Sequence, residues 1–420
     1  MRLLFIHPNF PGQYKHLVEY FASRPDYEVA AIGAQERIEV PESLQGIRLI
    51  RYPATAGASP TTHHYIRGFE AGVRRGQRVA RVAMELRREG FIPDVICVHP
   101  GWGDGLYLKD VFPESKVLGF FEFFYRSGGS DVGFDPEFPI TFDDICRVRT
   151  KNSVILQSLE SFDWGVTPTA WQLSQHPASF RNRISTIFDG IDTDVVRPRP
   201  GARIHLDHRG FALGDTDEVL TFVNRNLEPY RGFHTFMRAL PLIQKRRPRL
   251  HTVIVGGDGV SYGRAPQDGS CWRQVMMREV GQELDISRIH FFPKLPYRNL
   301  ISLFQVSSVH VYLTYPFVLS WSMLEAMSAG CAVVGSRTAP VEEIIRDGEN
   351  GLLADFFSPS GIADAVEAVL DDPDRARKLR DRARRTIVER YDLRTVCLPR
   401  HVSLIHGLHA GILPGTSTLT

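Results

Sequence analysis

Residues 218–246 read EVLTFVNRNLEPYRGFHTFMRALPLIQKR. An apolar run, a loop with two arginines, and a glycine opening an amphipathic segment give the order strand, turn, helix. Arg225 and Arg231 stand six positions apart on that turn. Guanidiniums present planar, permanently charged donors that match phosphate oxygens, so a pair of them suits a diphosphate. The bland alternative is two solvated loop arginines, which is common for this residue. Their shared place after a strand, with Gly232 opening the helix, weighs against it. This reading expects Arg231 to be exposed.

A second stretch, FVLSWSMLEAMSAG (317–330), passes through Ser320-Trp321-Ser322 into a helix of good formers that carries Glu325. Main-chain N–H groups at a helix start add donors and a favourable dipole for the same anion. One turn in, the Glu325 carboxylate can accept hydrogen bonds from ribose hydroxyls. Against this stands a purely local reading, because Ser322 and Glu325 have capping-box spacing.

The alternation of short apolar runs with longer amphipathic segments extends in both directions, the pattern of parallel sheets flanked by helices. Strands are expected at 3–8, 27–33, 46–52, 94–99, 116–121, 163–168 and 185–192, then at 218–224, 251–257, 288–294, 309–314, 331–336 and 351–356. Helices are expected at 232–246, 296–307, 359–372 and 374–391, and over 393–409 with an interruption at Pro399. The Pro-rich DVVRPRPGAR (194–203) lacks periodicity and reads as a linker.

A chain of 420 residues exceeds what one core usually supports, so two domains are expected. A formal net charge of +2 gives no reason to expect a nucleic-acid partner. Five scattered cysteines, with no close pair, argue against a zinc site and a disulfide framework and for a reducing compartment. The opening MRLLFIHPNF is broken by His7 and Pro8 and reads as a first buried strand rather than a signal peptide. With no run near the roughly 18 apolar residues that span a bilayer, the protein is expected to be cytoplasmic. The helix at 69–90 sets Arg74, Arg78, Arg81 and Arg88 near one face and Val79, Val82, Ala83 and Leu86 on another. It reads as a solvated surface helix or, alternatively, as a peripheral contact with anionic headgroups.

Two motifs mislead. Asp192-Thr193-Asp194 has the form of a metal-binding Asp-x-Asp but lies in a turn before the linker. Gly257-Asp258-Gly259 suggests a dinucleotide fingerprint, yet VSYGRAPQDG follows instead of a helix.

The ordered set Arg225/Arg231-Gly232, VIVGG (253–257), LEAMSAG (324–330), VGS (334–336) and NGLL (350–353) resembles the retaining glycosyltransferases of family 4. The resemblance implies an α/β fold of two Rossmann-like domains facing across a cleft, the GT-B architecture. Domains are then expected at 1–195 on the acceptor side and 196–395 for the nucleotide sugar, with a helix at 396–410 crossing back and a flexible tail at 411–420. The implied activity moves a sugar from a nucleoside-diphosphate donor to a hydroxyl acceptor, with retention, with no metal and no separate cofactor. In that frame Arg225 and Arg231 hold the diphosphate, and Glu325 the ribose. Ser320, Trp321, Ser322 and Met323 lie by the donor, and the backbone near Lys294 and Leu295 meets the base. The Gly12 loop in HPNFPGQ (7–13) approaches the phosphates, and His99 faces the transferred sugar. Two departures stand out: Arg231 replaces the family's lysine, and Phe317 occupies the place of a second glutamate. The second departure keeps open a non-catalytic nucleotide-sugar binder; a sugar-nucleotide epimerase is a further alternative on this architecture.

Overall fold

A computed structural model of the chain describes residues 1–34, 42–44, 46–205 and 212–414. It divides into two compact units, Met1–Asp189 with Arg394–Thr420, and Gly190–Leu393.

The first unit holds seven parallel strands: β1 (Arg2–Ile6), β2 (Glu28–Ala34), β3 (Arg48–Tyr52), β4 (Val95–Val98), β5 (Lys116–Phe120), β6 (Trp164–Thr167) and β7 (Ile184–Thr186). They lie in the order β3-β2-β1-β4-β5-β6-β7, so the winding reverses between β1 and β4. Both faces of the sheet are covered, which explains why β1 is apolar at consecutive rather than alternate positions. Leu4 and Ile6 pack with Val79, Ala83 and Leu86 of the helix Arg67–Arg88. Leu3 and Phe5 face the other way, onto Leu404, Ile405 and Leu408 of the final helix Leu398–His409. That helix follows a five-residue π-turn, Leu393–Cys397, and carries Pro399 in its first turn. The interruption expected at Pro399 therefore falls just before it, where proline costs no hydrogen bond. Residues 415–420 of the expected flexible tail lie outside the described residues.

The second unit holds β10 (Val219–Asn226), β11 (His251–Gly257), β12 (Ile289–Phe292), β13 (Val309–Tyr312), β14 (Ala332–Ser336) and β15 (Leu352–Ala354). These six parallel strands run in the order β12-β11-β10-β13-β14-β15, with the reversal between β10 and β13. The helix Phe233–Arg246 packs back on β10, where Phe236 stacks on Phe222 with centroids 4.4 Å apart. Such a pair adds about 0.5–1.5 kcal/mol beyond its buried area.

All the expected sheet strands appear, but of the run 185–192 only Ser185 and Thr186 belong to the sheet, while Ile191 makes an isolated bridge to Asp392. At the end of the Pro-rich stretch 194–203 a small antiparallel pair begins in the second unit, β8 (Arg203–His205) with β9 (Ala212–Gly214). Three-residue strands are too short to show a period, which hid them in the sequence. Among the described residues no helix is long and apolar enough to cross a membrane.

Candidate functional site

In an open parallel sheet the loops on either side of a reversal splay apart at the carboxyl ends of the strands and leave room for a ligand. In the second unit those loops follow β10 and β13. Arg225 lies near the carboxyl end of β10 itself, and the loops carry Arg231 and the approach to the glutamate helix.

Arg225 sits where β10 changes register against β11, between Val223 and Asn226. Such an irregularity re-aims a side chain, and Arg225 is exposed. Arg231 is the opposite. Its residue is only 6% exposed, against the expectation of a surface position. Its Nη1 donates to Thr314 Oγ1 at 2.8 Å and to the Val318 carbonyl at 2.9 Å, with Tyr312 Oη at 3.4 Å. Rings of Tyr262 and Phe317 flank the guanidinium carbon at 5.2 and 5.8 Å. Burial works against the charge, yet Tyr312, Tyr262 and Glu228 hold its pKa above the ordinary arginine value. The cation is thus built into the reversal, tying the loop after β10 to the loop after β13. Gly232 makes the tight exit possible: it has φ +68° and a Cβ there would stand 2.3 Å from Leu313 Cβ.

The helix Trp321–Ala329 begins beside this cation. Its N-cap is Ser320, whose side chain accepts from the Ser322 N–H at 3.4 Å, while Ser320 N–H donates to Tyr312 Oη at 2.8 Å. Ser322 is therefore inside the first turn, and the capping-box reading of Ser322 with Glu325 does not hold. Glu325 is instead buried one turn in, and Tyr297 Oη donates to its Oε1 at 2.8 Å. Burial raises its pKa above the usual carboxylate range, and the Tyr297 bond offsets this in part. Met323 is fully buried, whereas Trp321 is 46% exposed. Lys294 is exposed and Leu295 half-buried, just before the helix Tyr297–Val306.

Phe317 is buried in an aromatic group, 5.4 Å from the Tyr230 ring and 4.8 Å from that of Tyr262. One residue of this site escaped sequence reasoning altogether. Glu228 is 1% exposed, and its carboxylate accepts three successive main-chain N–H groups, from Ser261 (3.1 Å), Tyr262 (3.2 Å) and Gly263 (2.9 Å). Its only signal was a charged residue between Leu227 and Pro229; the partners lie more than 30 positions downstream.

The first unit places His7 and His99 directly after β1 and β4, at its own reversal. His7 Nδ1 accepts from Asn9 N–H at 3.0 Å and His99 Nδ1 from Gly101 N–H at 3.2 Å. In the neutral ring each proton then sits on Nε2, and among the described residues His99 Nε2 has no hydrogen-bond partner. The rings lie 5.7 Å apart, with Trp102 4.3 Å from His99, and Glu122 Oε2 is 3.6 Å from His99 Nε2. Gly12, at φ +51°, has no room for a side chain, since a Cβ would meet the His7 ring at 2.5 Å.

The Asp192 carboxylate is engaged in its own turn, where its Oδ1 accepts from the N–H groups of Asp194 and Val195, each at 3.2 Å. After Gly257-Asp258-Gly259 the next helix starts only at Trp272, and Asp258 pairs with Arg273 at 2.5 Å.

Two family models match the chain, one described as the glycosyl transferase family 4 group over residues 25–196 and one as glycosyl transferases group 1 over residues 205–386. The D-inositol 3-phosphate glycosyltransferase of Corynebacterium aurimucosum is 26% identical over 241 residues, covering 56% of this chain and 55% of the relative. That of Nocardia farcinica is 29% identical over 219 residues, 51% of this chain and 46% of the relative. The chain spans about half the length of the curated relatives it matches. Among solved structures, a sucrose-phosphate synthase from Thermosynechococcus elongatus superposes with a TM-score of 0.70 at 15% identity, over 98% of this chain and 100% of that one. Anabaena Alr3699/HepE in complex with UDP gives 0.66 at 14% identity, over 96% and 99%. At such identities the likeness shows the fold.

Proposed function

The chain belongs to the family-4 glycosyltransferases of GT-B architecture, and from that premise we propose that it moves a sugar from a nucleoside-diphosphate donor to a hydroxyl acceptor with retention at the anomeric carbon. The observation that carries this is Arg231, a permanently charged group buried at the sheet reversal beside a helix N-terminus, with exposed Arg225 near the end of the preceding strand β10. A cation kept out of water is costly unless it serves structure or an anion, and the site is open to an anion through Arg225 and the first turn after Ser320.

In the reaction the bond from the anomeric carbon to the diphosphate oxygen breaks and a bond to the acceptor oxygen forms on the same face. The acceptor's proton passes to the departing phosphate. Charge grows on the diphosphate as it leaves, and Arg225, Arg231 and the helix N-terminus are aimed at that charge, the largest electrostatic demand of such a step. Glu325 accepts from the ribose, and Lys294 and Leu295 offer main chain to the base. Ser320, Trp321, Ser322 and the Met323 backbone line the donor. His99 and the Gly12 turn serve the sugar and acceptor. No metal or separate cofactor is required in this scheme. The five free cysteines suit a reducing, cytoplasmic setting, and the exposed Arg81 and Arg88 of the first-unit helix would serve an acceptor at an anionic membrane surface.

A thermal-shift screen of nucleoside diphosphates and their sugars in EDTA tests the donor, since a ligand of the native state raises the melting temperature. NMR of the product's anomeric proton tests retention. No shift with any of them would end the nucleotide reading, and an inverted product the stereochemical one. The second reading, a nucleotide-sugar binder without turnover, is favoured by one observation, the burial of Phe317 among aromatic rings where the family has a carboxylate. Transfer or donor hydrolysis by the purified protein would eliminate it.

A further inference from the structure

The loop that follows β11 has no helix until Trp272, yet it is firmly held near its start. Glu228, wholly buried, takes three consecutive N–H groups from residues 261–263, and Asn226 Nδ2 donates to Ser261 Oγ at 2.7 Å. A carboxylate in low-dielectric surroundings binds such donors strongly, so this segment is fixed to the arginine loop itself. What it fixes is Tyr262. That ring lies 5.2 Å from the Arg231 guanidinium carbon and packs on Phe317 and Tyr230 at 4.8 and 5.9 Å. Arg231 and Phe317 are 6% and 3% exposed, whereas Tyr262 is 39% exposed. Of the groups against the cation, Tyr262 is thus one that solvent reaches.

We propose that Tyr262 contacts the transferred sugar of the donor and that Glu228 is the residue that positions it. The inference rests on the reading of Arg231 as a diphosphate ligand. In a sugar nucleotide the pyranose is joined directly to the second phosphate, so a solvent-facing ring seated on the phosphate-binding cation lies within reach of it. Tyr262 packs on the rings of Phe317 and Tyr230 and on the Arg231 guanidinium, and the nearby carboxylate, Glu228, is spent on main-chain N–H groups. Recognition here is by an aromatic surface under the C–H face of a pyranose, rather than by a carboxylate that grips hydroxyls.

The test titrates the wild type and three variants calorimetrically with UDP, GDP, ADP and dTDP and with UDP-glucose, GDP-mannose, ADP-glucose and dTDP-glucose. The quantity read is the ratio of sugar-nucleotide to free-diphosphate affinity. Tyr262→Ala is expected to lower that ratio about tenfold, the scale of one aromatic contact, beyond any diphosphate affinity it also loses through the Arg231 guanidinium that the ring flanks. Tyr262→Phe keeps the ring and should stay within about threefold of wild type. Glu228→Gln weakens the tie to the loop and should fall between the two. An unmoved ratio in Tyr262→Ala, an equal loss for diphosphate and sugar nucleotide, or a Tyr262→Phe variant as damaged as the Ala variant overturns the proposal while leaving the nucleotide reading intact. A wild type that binds none of the eight compounds overturns that reading and this inference with it.

Discussion

Both sheets reverse their winding between neighbouring strands, β1 and β4 in the first unit and β10 and β13 in the second. At the first reversal stand two imidazoles whose Nδ1 atoms accept main-chain N–H groups. Burial and the neighbouring His99 press the His7 pKa down to about 3, so that ring stays uncharged at any physiological pH. At the second reversal stands a buried guanidinium whose surroundings reinforce its charge. Equivalent places in two similar sheets have been given opposite chemistry. An imidazole N–H suits a hydroxyl, whereas a fixed cation beside a helix start suits an anion. Fold alone does not make that division; the side chains at the strand ends do.

The contrast breaks most readily at Arg231. Replacing it with Ala removes a charge-assisted contact of about 1.5–3 kcal/mol, so nucleoside-diphosphate affinity should fall about tenfold or more. Because its Nη1 donates to Thr314 Oγ1 and the Val318 carbonyl, the melting temperature should fall as well, by the equivalent of about 1–3 kcal/mol for buried groups left unpaired. Calorimetric titration and thermal unfolding check the two parts. A variant that folds and binds as the wild type does would leave the charge without a function.

That double expectation marks what the sequence could and could not disclose. Strand, arginine loop and glycine-opened helix were legible at 218–246 because their signals are local: an apolar run, a turn, a period of 3.6. The burial of Arg231 was not, because Thr314 and Val318 arrive from the loop after β13, over 80 positions away. Separations of 33 to 35 positions likewise hid Glu228 and Tyr262, which read as an isolated acid and a residue in a Gly-rich loop. For Ser322 and Glu325 the local signal misled: capping-box spacing is real, but Ser320 takes the cap, its side chain accepting from the Ser322 N–H. The short hairpin β8–β9 failed for the reverse reason, having too few residues to carry any period.

His99 sharpens the comparison from the other side. A His99→Asn variant retains an acceptor for the Gly101 N–H but loses the Nε2 donor. Diphosphate affinity should stay within about twofold, while the transfer rate should fall by one hydrogen bond to a neutral group, about 1 kcal/mol or roughly fivefold. Initial rates beside diphosphate titrations separate the two. A loss of diphosphate affinity matching that of Arg231→Ala would mean that the first reversal also handles the anion, and the contrast would fail.

The smallest effect is expected at Glu325, where its sign is informative. Burial raises the folded-state pKa of this carboxyl, with Tyr297 opposing in part. A raised folded pKa means the group contributes stability in full below its unfolded value near 4.3, and the contribution is lost as pH rises through the folded value. Above that unfolded value the buried carboxyl therefore costs the ligand-free protein some stability relative to acid pH. Glu325→Gln keeps an acceptor for the Tyr297 hydroxyl and removes that cost, so its ligand-free melting temperature at pH 7 should rise slightly. Ribose hydroxyls, however, lose a charged acceptor, and nucleotide affinity should fall by a few-fold, about 1 kcal/mol for one bond. In the wild type the same loss should set in as pH drops through the raised carboxyl pKa, and the Gln variant should lack that step. Subtracting the variant's profile from the wild type's cancels the diphosphate's own titration. A variant that melts lower and binds nucleotide unchanged would reduce Glu325 to an anchor for Tyr297, and the division of labour at the second reversal would then rest on the arginines alone.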